Sequence, residues 1–130
     1  MVRPIMRDIF FLRQKAQPAT KEDKQIVQDL LDTLKANEAG CVGMAANMIG
    51  VNKRIIAVNM GFINVAMLNP VIVKKSGACL SLDGVRKTTR YENIEVEFQD
   101  ISFHKQRQKY SGWTAQIIQH EIDHCDGIII

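Results

Sequence analysis

The sequence predicts a single domain that contains both helices and strands. Two stretches, at residues 21–36 and 112–126, carry apolar residues at the three- and four-residue spacing of a helix. Between them lie three runs rich in β-branched and other apolar residues, which is typical of strands. With 130 residues, of which 46% are hydrophobic, the chain can bury one sizeable core, so we expect one domain spanning residues 1–130.

The first predicted helix follows a pattern that resembles a capping box. Thr20 precedes Asp23 by three residues, and this spacing lets each residue satisfy a backbone N–H group at the start of a helix. The apolar residues that follow share one face of the helix: Ile26, Val27, Leu30, Leu31 and Leu34. We therefore predict an amphipathic helix over residues 21–36, with the chain leaving it near Gly40.

The three predicted strands cover residues 54–58, 66–73 and 94–98. The third run alternates apolar residues with two glutamates, which indicates a strand buried on one face only. Pro70 lies inside the second run and has no N–H group to donate. The second strand is therefore expected to be broken, or to lie at the edge of a sheet.

Composition excludes several classes of function. The 17 basic and 14 acidic residues are spread along the chain, giving a formal charge of +3 without a basic block, so direct binding of nucleic acid is not implied. No stretch approaches the roughly 20 apolar residues that span a bilayer, so no membrane association is expected. Three cysteines, an odd number, favour a reducing cytoplasm over a disulfide-stabilised exterior.

The strongest chemical signal lies in the second predicted helix. His120 and His124 are four residues apart and therefore lie on one side of a helix, together with the apolar residues Trp113 and Ile117. Two adjacent imidazoles can bind a metal ion, and Glu121 can then act as general base and general acid on a water molecule. The alternative is a pair of core histidines satisfied by hydrogen bonds.

A catalytic metal site usually has three protein ligands, so a third must be found. Asp126 follows His124 by two residues and points to another side of the helix. Cys79 is the better candidate because a thiolate binds Fe(II), Zn(II) and Ni(II) well, although a lone cysteine is more often a small buried apolar residue. The absence of a suitable downstream ligand disfavours an ordinary zinc metalloprotease.

Three motifs in this order resemble those of the peptide deformylase family. The family patterns are Gly-φ-Gly-φ-Ala-Ala-x-Gln-φ-Gly, where φ is apolar, then Glu-Gly-Cys-Leu-Ser, and finally Gln-His-Glu-x-Asp-His. The chain matches the first in Val42-Gly43-Met44-Ala45-Ala46 and Ile49-Gly50, the second in Cys79-Leu80-Ser81, and the third in Gln119-His120-Glu121-Ile122-Asp123-His124. The resemblance covers essentially the whole chain.

This resemblance implies an α+β fold in which small mixed or antiparallel sheets pack around a central metal-binding helix. It also implies a metal-dependent hydrolase that removes formyl from the N-terminal methionine of new polypeptides, so the expected partners are N-formyl-methionyl peptides or nascent chains. Cys79, His120 and His124 would hold one divalent metal ion, which family resemblance suggests is Fe(II) in the cell, with Zn(II) or Ni(II) possible in preparations.

The resemblance also assigns roles around the substrate. Glu121 would transfer the protons, and the backbone N–H of Leu80 would stabilise the oxyanion. The substrate backbone would lie along Val42 and Gly43, and Arg86 would orient it. Trp113 and Ile117, with Val42, are candidate walls of a methionine pocket. The oligomeric state is not indicated.

The departures from the family patterns fall on functional positions. Met48 replaces the glutamine whose amide donates to the formyl oxygen, and a thioether cannot donate that bond. Asn47 is the neighbouring amide that could replace it. Cys41 stands in place of a glycine, and Gly77-Ala78 in place of Glu-Gly. The alternative function is therefore a catalytically weak or inactive family member that keeps metal and peptide binding.

Overall fold

In a computed structural model, the protein is described for residues 1–83 and 86–128, and its side chains for residues 1–78 and 89–128. Within these ranges the helices are α1 (Ile9–Leu12), α2 (Lys24–Ala36) and α3 (Gly112–Cys125). The strands are β1 (Gly43–Ala45), β2 (Ile55–Asn59), β3 (Asn64–Asp83), β4 (Arg86–Gln99) and β5 (Lys105–Ser111). No described helix is long and apolar enough to cross a membrane.

The first predicted helix is confirmed. A 3₁₀ turn at Lys21–Asp23 leads directly into α2, and the Asp23 carboxylate accepts the backbone N–H of Thr20 at 2.7 Å. The capping box thus forms as its spacing predicts. Leu30 and Leu34 are fully buried on the inner face of α2, which ends at Ala36, four residues before Gly40.

The described strands form one antiparallel sheet in the order β1-β2-β3-β4-β5. The position of the sheet between two layers is clearest at strand β2, because successive residues of this strand belong to two different buried clusters. Ile56 and Val58 pack on the side of α3, whereas Ile55 and Ala57 pack on the side of α2. The sheet near β2 is therefore the middle layer between two helices, and its strand is apolar on both faces.

The structure bears out the expectation for Pro70 and adds two short strands. Strand β3 continues through Pro70, but its pairing with β2 ends at Leu68, so Pro70 lies at a local edge with β4 as its strand neighbour among the described residues. The ladder with β4 is irregular between Leu68 and Val71, as an absent N–H group requires. Strands β1 and β5 were not predicted. The residues of β5 are mostly polar and exposed, so this segment carries little apolar signal.

The second predicted helix is confirmed as α3, which ends one residue before the predicted boundary. Its buried residues Ala115, Ile118 and Ile122 pack against the sheet, and Cys125 is buried among them as a small apolar group. Burial raises the pKa of the Cys125 thiol to about 12, so the thiol stays neutral. The helix that carries the histidine motif is thus part of the core rather than a surface addition.

Candidate active site

The histidine motif places its two imidazoles side by side, as the four-residue spacing predicts. The ring centroids of His120 and His124 are 4.6 Å apart, and both residues are partly exposed on α3. Both residues also take part in other interactions. They lie at the surface of the helix rather than sealed in the core, which is compatible with the predicted ligand role.

Glu121 is the unusual group of this helix. Only 4% of the residue is exposed, and its Oε1 atom is buried without a hydrogen-bond partner among the described residues. Nδ1 of His124 lies 3.8 Å from that oxygen. Burial raises the pKa of Glu121 to about 8, although the positive charge of Arg90 acts in the opposite direction. A buried carboxyl with a raised pKa and an unused oxygen is typical of a group that handles protons.

Two polar contacts hold α3 against strand β4, one just before His120 and one just before His124. The amide of Gln119 accepts the backbone N–H of Tyr91 and donates to its carbonyl, both at 2.8 Å. The guanidinium of Arg90 donates to Asp123 at 2.5 Å. The sequence analysis identified Gln119 and Asp123 as positions of the family motif but did not predict these contacts with β4, because their partners lie about 30 residues upstream in the chain.

The strand pairing places two predicted residues of β3 beside the part of β4 that contacts α3. Cys79 pairs with Arg90 in the antiparallel register, and Leu80 pairs with Thr89, so both backbone positions lie one strand away from the residues that hold α3. The side chains of Cys79, Leu80 and Arg86 lie outside the described part of the structure. Their predicted roles as metal ligand, oxyanion donor and substrate contact therefore stay predictions.

Strand β1 approaches the other side of Glu121. A Cβ atom added to Gly43 would come within 2.8 Å of Ile117 Cγ2 and 3.0 Å of Glu121 Oε2. No larger residue fits there without displacing one of these groups, so the glycine allows the strand to touch the carboxylate. The neighbouring Val42 is 41% exposed. The structure thus brings together three of the predicted site residues, Gly43, Ile117 and Glu121.

The other residues predicted near the substrate differ in exposure and packing. Trp113 is 67% exposed on the first turn of α3, whereas Ile117 one turn later is buried. Met48 packs against the cluster on the α2 side of the sheet. Nδ2 of Asn47 donates to the backbone carbonyl of His124 at 2.8 Å, so this amide holds the end of α3 and does not take over the role of the missing glutamine.

The donor set fits a metal ion. Among the described side chains, no three His, Cys, Asp or Glu groups are placed to hold a metal together, so a third donor has to be added to the two imidazoles. Cys79 is the predicted third donor, and its backbone pairs with Arg90 in the antiparallel register, but its role as a ligand stays a prediction. Two imidazoles and a thiolate suit a divalent transition metal, and the unpartnered oxygen of Glu121 is suited to a water molecule beside it.

Comparison with known proteins points to one family. A family model described as polypeptide deformylase matches residues 4–130. A curated peptide deformylase from Clostridium beijerinckii is 55% identical over an alignment of 136 positions that covers 100% of both chains. A crystal structure of a peptide deformylase from Legionella pneumophila superimposes with a TM-score of 0.87 at 28% identity, covering 99% of this chain and 83% of that one. A peptide deformylase from Acinetobacter baumannii with bound Met-Ala-Ser gives a TM-score of 0.84 at 26% identity, covering 99% and 97%.

Proposed function

Since this chain belongs to the polypeptide deformylase family, we propose that it hydrolyses the formyl group from N-formyl-methionyl peptides and releases formate. The observation that carries the proposal is the environment of Glu121. A buried carboxyl with an unpartnered oxygen adjoins two neighbouring imidazoles and the backbone of Gly43. Such a group is costly to bury, so its retention indicates chemistry rather than packing.

The cofactor is one divalent metal ion, and we assign its ligands to Cys79, His120 and His124. When bound, the ion supplies Lewis-acid polarisation of the formyl carbonyl and lowers the pKa of a water molecule. We assign Fe(II) as the ion used in the cell, with Zn(II) or Ni(II) able to replace it in purified protein, because a thiolate and two imidazoles suit all three.

Glu121 performs the proton transfers of the proposed reaction. Its carboxylate accepts a proton from the water whose oxygen attacks the formyl carbon, and a tetrahedral species forms. The carboxyl then gives that proton to the methionine nitrogen as the carbon–nitrogen bond breaks. Formate and a free amino terminus leave, and the carboxylate is ready for the next cycle. The close packing of Gly43 and Ile117 against Glu121 keeps the carboxyl in one orientation.

The substrate backbone runs along Val42 and Gly43 in this proposal. Strand β1 has β2 as its only strand neighbour among the described residues, so its other edge can accept an extended peptide. Ile117 and Trp113, with Val42, line the methionine side chain, Arg86 orients the peptide, and the backbone N–H of Leu80 donates to the oxyanion. Bound Met-Ala-Ser in the Acinetobacter baumannii relative supports a peptide in the equivalent cleft.

The cellular substrates that we propose are nascent chains that still carry N-terminal formyl-methionine. Their synthesis takes place in the cytoplasm, which agrees with the reducing compartment that the cysteine count favours. The 55% identity to a curated peptide deformylase over the whole chain supports an active enzyme rather than the inactive alternative. Met48 is then a feature that lowers the rate, since its thioether supplies no donor to the formyl oxygen.

The test is formate release from a formyl-methionyl peptide by anaerobically prepared, Fe(II)-loaded protein. The native chain is expected to turn over, and Glu121→Ala is expected to release no formate above background. Met48→Gln is expected to be faster than the native chain, because loss of one oxyanion donor costs about 10²–10³ in rate in other hydrolases.

Two outcomes would change the proposal. Turnover by Glu121→Ala at the native rate would remove Glu121 from the chemistry. Activity confined to Met48→Gln would mean that the native chain keeps the site but does not deformylate this peptide, which is the inactive alternative.

A further inference from the structure

Strand β1 turns one particular acceptor towards the edge that no described strand occupies. The carbonyl of Val42 accepts the backbone N–H of Asn59 at 2.8 Å, so the peptide groups of Val42 point towards β2. In an antiparallel pair, successive residues point their backbone groups to opposite sides. The carbonyl of Gly43 therefore points away from β2, towards the edge where the proposed substrate would lie.

The side chain of Cys41 forms a hydrogen bond with that carbonyl. Its Sγ atom lies 2.9 Å from the Gly43 carbonyl oxygen, and its thiol donates to it. Burial raises the pKa of the Cys41 thiol above its usual range. The thiol therefore remains protonated near neutral pH and can serve as a donor.

We propose that Cys41 is a positioning residue whose thiol caps the Gly43 carbonyl in the free enzyme and is displaced by a backbone N–H of the bound peptide. This inference builds on the proposed function, because it assumes that a peptide uses the edge of β1. It goes beyond that function by assigning a role to a residue at which the chain departs from the family pattern, where glycine has no side chain to place on this carbonyl.

The chemistry of the two donors makes the exchange feasible. A thiol is a weak hydrogen-bond donor, whereas a peptide N–H is a strong one, so the peptide replaces a weaker bond by a stronger one. The capped carbonyl is not left unsatisfied in the free enzyme, which matters because Gly43 is buried. The cost is a small loss of peptide affinity, since each binding event must first break the contact with Cys41.

Two substitutions separate this role from a purely structural one. Cys41→Ala removes the donor, so KM for the formyl-methionyl peptide and the dissociation constant of the product-like peptide Met-Ala-Ser should both fall, by about two- to tenfold. Cys41→Ser keeps a donor and should bind no more tightly than the native chain. The change should appear in KM rather than kcat, because it concerns binding and not the transfer of protons.

The measurements are steady-state formate release and titration calorimetry with Met-Ala-Ser, both on Fe(II)-loaded protein. Infrared difference spectra between the native chain and Cys41→Ala isolate the S–H stretching band of Cys41, which should move to the frequency of a free thiol when Met-Ala-Ser binds. The thermal unfolding midpoint of each variant serves as a control, since a structural role would lower the midpoint and the peptide affinity together.

The outcomes distinguish this inference from the proposed function. Formate release with equal KM values in the native chain and Cys41→Ala, or an S–H band that does not move, would overturn the role of Cys41 and leave the function intact. Tighter binding by both Cys41→Ala and Cys41→Ser would also overturn it. A native chain that neither releases formate nor binds Met-Ala-Ser would overturn both.

Discussion

Two buried carboxylates of this protein have opposite surroundings. Asp29 on α2 is 1% exposed and accepts hydrogen bonds from Gln25 at 2.8 Å, from Arg3 at 2.8 Å and from the Met1 amino group at 2.9 Å. Glu121 on α3 is 4% exposed, and its Oε1 atom has no hydrogen-bond partner among the described residues. Burial is thus nearly equal, but among the described residues three groups donate to Asp29 and none donates to Oε1 of Glu121.

The difference in donors appears in the two pKa values. Burial alone would raise the pKa of Asp29, but the hydrogen bonds from the Met1 amino group, Gln25 and Arg3 lower it to about 2. For Glu121 burial dominates and raises the pKa to about 8. The carboxylate with several donors holds the N-terminal segment against α2, whereas the carboxyl whose Oε1 has no donor among the described residues has the properties that the proposed catalytic role requires. The comparison therefore separates a structural acid from the proposed catalytic one.

The largest effect is expected from Glu121→Gln. The amide has nearly the same shape but cannot accept and return a proton, so formate release by Fe(II)-loaded protein should fall by about 10²–10⁴. The unfolding free energy of the metal-free protein, measured in urea, should not decrease, because no hydrogen bond from the described residues is lost at Oε1. A destabilised variant with retained activity would make Glu121 the structural acid of the pair.

The next largest effect is expected from Gly43→Ala, which tests the packing that orients Glu121. The new methyl group would approach Ile117 Cγ2 to 2.8 Å, so the carboxyl or the strand must shift. A displacement of this size should lower kcat/KM by about tenfold to hundredfold. Gly40→Ala is the matched control, because a Cβ atom there meets nothing within 4 Å. Equal activity of the two variants would contradict a precise role for Gly43.

A smaller effect, on stability rather than activity, is expected from Asp29→Asn. The change weakens charge-assisted bonds from Arg3 and the Met1 amino group, and should cost on the order of 2 kcal/mol in the free energy of unfolding at pH 7. Formate release should stay at the native rate, because Asp29 lies on the α2 side of the sheet. A loss of activity without a loss of stability would contradict the assignment.

The difference in unfolding free energy between the native chain and Asp29→Asn should depend on pH, because of the lowered pKa of Asp29. The folded value, about 2, is lower than the ordinary value of 3.8, so ionised Asp29 stabilises the fold. This stabilisation is present in full above the ordinary value and is lost as the pH falls through about 2. The unfolding free energies of the native chain and Asp29→Asn, measured in urea, should therefore converge at low pH. A difference in unfolding free energy that stays constant down to pH 2 would show that the carboxylate charge is not its cause.

The smallest effect is expected from Glu97→Gln, which provides an exposed carboxylate as a reference. Its side chain is 52% exposed and pairs with Arg107 at 3.1 Å on the outer face of β4 and β5. Exposed ion pairs contribute little, so the change in unfolding free energy should be at most about 0.5 kcal/mol, with native formate release. A larger effect in either assay would mean that exposure is a poor guide to the role of carboxylates in this protein.

Much of the fold could be predicted from local patterns. Both longer helices and the cores of β2, β3 and β4 follow from apolar spacing and from the capping pattern at Thr20. Strand β1 was missed because Gly43–Ala45 is only three residues long and buried throughout, so it has no alternation to detect. Strand β5 was missed because its exposed polar residues resemble a loop. Such segments become strands only through pairing with their neighbours.

The sequence by itself determined the side-by-side imidazoles of His120 and His124, because a four-residue step on a helix places two side chains on one face whatever surrounds them. Only the tertiary structure decided that Oε1 of Glu121 has no donor among the described residues, that Gly43 lies against this carboxyl group, and that the thiol of Cys41 reaches the carbonyl at the edge of β1. The physical reason is the distance along the chain over which each property is determined. Periodicity is set by neighbours in the chain, whereas burial, donor supply and the direction of a strand edge depend on which distant segments pack together.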